Sequence, residues 1–197
     1  MPESIARILP TDPSYAKLTD FARRLETLLN KPKVKTNVHA QSTLDFLLGA
    51  LYGLSLAALD GYEHRPKGKK PDFEPLVNRT ALLVKGEVRL DGKWMAGFHF
   101  NSALFRLAAI YHRTLKVVTK NTDTDKSVGD LMDELREKHK GWAGRWTNRN
   151  IQKLHEEVND WKHAAQGRYE GRDVNPGHAF GATEELLTLW EAWPGLR

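Results

Sequence analysis

Apolar residues recur along this chain at three- and four-residue spacing far more often than they alternate, the mark of helices that turn one face to a core. Leu18, Phe21, Leu25, Leu28 and Leu29 carry the period first, with Arg23, Arg24 and Glu26 between them. The spacing predicts a helix from Ser14 to Asn30, entered through Asp12-Pro13 and stopped by Asn30-Lys31-Pro32. A second helix is predicted from Ser42 to Asp60. Leu44, Leu47, Leu48, Leu51 and Leu54, with Gly49, Ala50, Gly53 and Ala57 among them, leave it apolar almost all round. Such a helix belongs at the centre, closely approached by its neighbours. The period returns over Asn101–Val118, over Lys126–Lys138, through Ile151, Leu154, Val158 and Trp161 behind Thr147 as the expected cap, and from His178 to Trp193.

One stretch breaks the pattern. Glu87 to Trp94 alternates and contains Asp91-Gly92, a hairpin signal, so a small accessory β-hairpin is expected around residues 84–95. The expected fold class is all-α: a bundle of five or six helices forming a single domain over residues 1–197.

Composition narrows the chemistry. With 197 residues and 40% apolar content, the chain has enough material for one sizeable core. Cysteine is absent, which excludes disulfides and thiolate chemistry. The opening MPESIARILPTDPSY lacks an apolar run behind a basic start, and no membrane span is expected, so the expectation is a soluble cytoplasmic protein. The formal charge of +5 permits a polyanionic partner. The densest basic run, His64 to Pro71, holds two prolines and one glycine and reads as a loop. No CxxC, HExxH, GxxxxGK or GxSxG pattern occurs, so neither a metal nor a cofactor is expected. His112, His155, His163 and His178 do not form repeated ligand pairs, and the glycine-flanked Gly167–Arg172 segment lacks the strand-turn-helix setting of a phosphate loop.

The stretch Leu154-His155-Glu156-Glu157-Val158-Asn159-Asp160-Trp161-Lys162-His163 stands out. It is followed by Gly171-Arg172-Asp173-Val174-Asn175 and by a closing helix with Ala179 and Glu184-Glu185-Leu186-Leu187. This arrangement resembles the last two helices of the HEPN superfamily of all-helical domains. The resemblance implies a homodimer that cleaves or binds RNA, or binds a nucleotide, in a toxin–antitoxin or defence setting. It matches Asn159 and His163 to the family's polar and histidine positions, while Val158 stands where the family has arginine. Arg106 and His112 repeat the arginine-to-histidine spacing without the following polar residue.

Helix geometry offers a separate view of the same residues. Asn159 and His163 lie one turn apart, away from the Ile151–Leu154–Val158–Trp161 stripe. A histidine there can exchange a proton near neutral pH, and an amide can position a phosphate oxygen. Taken with what the resemblance implies, His163 and Asn159 are the expected catalytic residues of a metal-independent ribonuclease. Lys162, Arg168, Arg172, Arg106 and His112 are the expected contacts to RNA or nucleotide. The alternative is a catalytically inert helical scaffold with a protein partner in a stress or defence system. For pairing of two copies, the Asn101–Val118 helix and the closing helix offer faces, with Trp190 and Trp193 as anchors.

Overall fold

The computed structural model describes residues 3–8, 11–63, 92–123, 125–144, 146–163 and 176–196, with the side chains of 4, 60–63, 92–98, 101, 160–163 and 176 outside that description. Among the described residues there are nine α-helices and no β-strand. They are α1 (Glu3–Arg7), α2 (Pro13–Leu29), α3 (Pro32–Lys35), α4 (Val38–Glu63) and α5 (Gly92–Thr119), then α6 (Val128–Lys138), α7 (Lys140–Ala143), α8 (Arg149–His163) and α9 (Pro176–Ala192). A 3₁₀ turn at Pro194–Leu196 closes the described chain.

The all-helical expectation holds, but its count of five or six helices and its hairpin are corrected. The additional helices α1, α3 and α7 have four or five residues each, too short for a 3.6-residue period to show. Of the expected hairpin, Gly92 to Met95 lie in the first turns of α5, and 84–91 lie outside the described residues. The Asp-Gly signal is ambiguous by nature, because both residue types also suit the start of a helix.

Local chemistry sets the boundaries of the longer elements. The Asp12 side chain accepts from Ser14 N–H at 2.8 Å with Pro13 in the first turn, as the sequence expects for α2. Helix α4 starts earlier than the expected Ser42, because Asn37 Oδ1 accepts from Ala40 N–H at 3.0 Å. Ser127 and Asp130 form a reciprocal capping box at α6.

The long helices α4 and α5 form the centre. They run antiparallel: Arg113 of α5 donates to Ser42 near the start of α4, while Gly49 meets Arg106 and Gly53 meets Ala103 further along. Helices α1, α2 and α3 pack on α4, whereas α6, α8 and α9 pack on α5. Leu44, Leu47, Ala50, Leu51 and Leu54 face this core, which accounts for the apolarity of α4. By length and composition alone, Val38–Leu59 is long and apolar enough to cross a membrane, where the sequence reading expected no such stretch; half of it is buried inside the fold.

The closing helix is consumed by the core as well. Trp190 is fully buried, donates from Nε1 to Thr114 at 3.1 Å, and meets Trp193 edge-on. Trp193 is 5% exposed, so the two expected anchors of a dimer face are spent within one chain. Arg24 of α2 ties α9 down from outside, donating to both carboxylate oxygens of Glu191 and to Glu184.

Candidate functional site

The open side of α4 forms the floor of a groove of about 870 Å³. Helix α2 contributes Ala22, Leu25, Glu26, Leu29 and Asn30, and α5 contributes His99, Ser102 and Arg106. Asp45, Leu48, Gly49, Tyr52, Gly53 and Leu56 come from α4 itself. These α4 positions follow three- and four-residue steps, so they share one face of the helix, opposite the leucines it sends into the core. The walls are mostly apolar, and the polar groups sit among them.

Arg106 is the feature of this groove with the clearest chemistry. Its guanidinium lies over Gly49, where an added Cβ would come within 2.5 Å of Nη1. Glycine permits that close approach of an α5 side chain to the α4 backbone. Arg106 has no hydrogen bond or ion pair with any described residue, whereas Arg113, two turns on, is held by Ser42 and by the Phe46 ring at 4.7 Å. Glu26 and Asp45 are exposed at the same groove. A planar fork of donors beside apolar walls suits an anion attached to an apolar body.

The C-terminal motif is distributed differently. Val158 is buried at 1% exposure beside Ile151 and Leu154, on the predicted stripe. Asn159 is half-buried on α8. The backbones of Lys162 and His163 form the last turn of α8, and their side chains lie outside the described residues, as do Arg168, Arg172 and the basic run His64–Pro71. Arg106 and His112 serve different places: His112 Nε2 donates to the Lys126 carbonyl at 3.0 Å, in the loop before α6, and does not line the groove.

The start of α8 is secured from α9, and no sequence motif indicated it. Glu185, 6% exposed, accepts from Asn150 N–H at 3.0 Å, from Ile151 N–H at 2.8 Å and from Asn150 Nδ2 at 2.8 Å. This carboxylate occupies the positive end of the α8 dipole and does the work expected of Thr147. Gly181, one turn before Glu185, makes the approach possible, because a Cβ there would meet Asn150 Cγ at 2.5 Å. Trp146 adds a bond from Nε1 to the Glu185 carbonyl at 2.7 Å.

Two further polar groupings accompany these. His178 Nδ1 lies 3.6 Å from Glu157 Oε1, too long for a hydrogen bond, and His178 Nδ1 and Glu157 Oε2 are both buried without a hydrogen-bond partner among the described residues. Around the loop before α6, Glu134 accepts from Lys126, Lys138 and Asn121. The bond from Lys126, then those from Lys138 and Asn121, hold its carboxyl down to about 2. Among the described residues, no three His, Asp or Glu side chains gather closely enough to hold a metal.

Compared with protein-family models, curated proteins and solved structures, the chain matches none.

Proposed function

We propose that this chain is a helical, HEPN-like RNA- or nucleotide-binding protein, and that its ligand occupies the groove over Gly49. The observation that supports this reading is the guanidinium of Arg106, set among apolar walls without a hydrogen bond or ion pair to any described residue, since such a fork pairs bidentately with phosphate oxygens. Tyr52 offers an aromatic surface beside it, and bases stack on such surfaces without regard to sequence. The reading keeps the binding side of the HEPN resemblance and moves its weight from His163 to Arg106.

The test is binding of labelled single-stranded RNA and labelled nucleotides to the full chain, followed by anisotropy. Arg106→Ala is expected to weaken binding about ten-fold or more, the effect of one charge-assisted phosphate contact. The helical spectrum should not change, because Arg106 is exposed. Equal affinity in wild type and variant would refute the assignment of the groove. The second reading, a helical interaction protein, is favoured by Phe46, Leu48, Tyr52 and Phe105, large apolar side chains left exposed on α4 and α5.

A further inference from the structure

The charges of the groove select among phosphate-bearing ligands. We infer that it takes a single nucleoside monophosphate and disfavours a continuous run of RNA; this rests on the nucleotide-binding reading above. Among the described lining residues Arg106 is the one Lys or Arg, whereas Glu26 and Asp45 bring two carboxylates. A chain of phosphodiesters laid along the groove would meet more negative than positive charge, and like charges at close range repel. A monophosphate needs only one fork of donors, and Arg106 supplies it.

The remaining parts of such a ligand find complementary groups. Asp45 lies one turn before Gly49 on α4, so it stands on the face over which the Arg106 guanidinium extends. Ionised carboxylates only accept hydrogen bonds, which suits ribose hydroxyls or an exocyclic amine. Leu48 and Tyr52 can cover one face of a base. The groove volume of about 870 Å³ is ample for a ligand of this size.

Two substitutions separate the site from the fold. Arg106→Ala removes the fork. Gly49→Ala leaves Arg106 in the chain but puts a methyl group where its guanidinium lies, and the long flexible side chain can swing away without disturbing the helices. Calorimetric titration of the full chain with AMP, adenosine, a single-stranded oligoadenylate and decanoate reads the outcome. AMP should bind about ten-fold or more tightly than adenosine, since only AMP offers the phosphate. Both variants should bring AMP down to the affinity of adenosine while keeping the wild-type circular dichroism spectrum. Asp45→Asn should narrow the gap between oligoadenylate and AMP. Oligoadenylate binding more tightly than AMP, and lost in Arg106→Ala, would overturn the single-nucleotide inference and leave the RNA-binding reading standing. Binding of decanoate alone, or of none of the four, would overturn both.

Discussion

Replacing Glu185 by alanine tests how the C-terminal helices are held together. The Glu185 carboxylate is the tertiary cap of α8, taking two backbone N–H groups and the Asn150 amide in a site that is 6% exposed. Losing a capping side chain costs about 0.5–2 kcal/mol, and losing a negative charge at a partly buried helix N-terminus costs up to about 2 kcal/mol. Leaving the buried donors without an acceptor adds about 1–3 kcal/mol, although water entering the vacated space recovers part of it. These effects overlap, so the expected loss is about 3–4 kcal/mol rather than their sum. For a chain of this size each kcal/mol moves the melting temperature by about 2–4 °C, giving a fall of roughly 6–16 °C. Glu185→Gln keeps one acceptor oxygen and should lose about half as much. Thermal melts followed at 222 nm, with urea titrations to check the free energies, measure the effect. An alanine variant that melts with the wild type would refute the capping argument.

Two further outcomes follow from the same kind of contact. Gly181→Ala should destabilise the protein, although alanine ordinarily gains about 1 kcal/mol over glycine inside a helix, because the new methyl collides with Asn150; a rise in melting temperature would contradict that close approach. The depressed carboxyl of Glu134 contributes stability that is present above its ordinary value of 4.5 and lost as pH falls toward 2. Wild type should therefore lose more melting temperature across that window than Glu134→Gln, and parallel curves would show that the pairing with Lys126 and Lys138 is not coupled to folding.

The long helices were legible because each has a periodic face long enough to average over exceptions. Leu18, Phe21, Leu25 and Leu28 are all buried as the spacing of α2 requires, and Ile151, Leu154 and Val158 are buried on α8. What could not be read lies below that length or depends on distant residues. The four residues of α3 and of α7 span barely one turn, so no period can form. The cap of α8 comes from Glu185, far along the chain, where the local sequence offered Thr147. Gly92 to Met95, at the end of the alternating run, lie in the first turns of α5, and four residues are too few to separate a two-residue from a 3.6-residue period.

The groove was hidden for a related reason. An apolar face predicts burial, but periodicity does not say which part of the face a neighbour covers, so Leu48 and Gly49 read as core although they line an opening. The pairing of Gly49 with Arg106 is a tertiary approach and leaves no mark in either local sequence. Val158 carries the remaining step. It is 1% exposed among Ile151 and Leu154, so an arginine at this position would place a cation inside the core, at a cost of several kcal/mol unless a partner moved with it. A charge that meets phosphate, as proposed above, would have to come from another surface, and the groove offers Arg106, which is exposed and has no hydrogen bond or ion pair with any described residue.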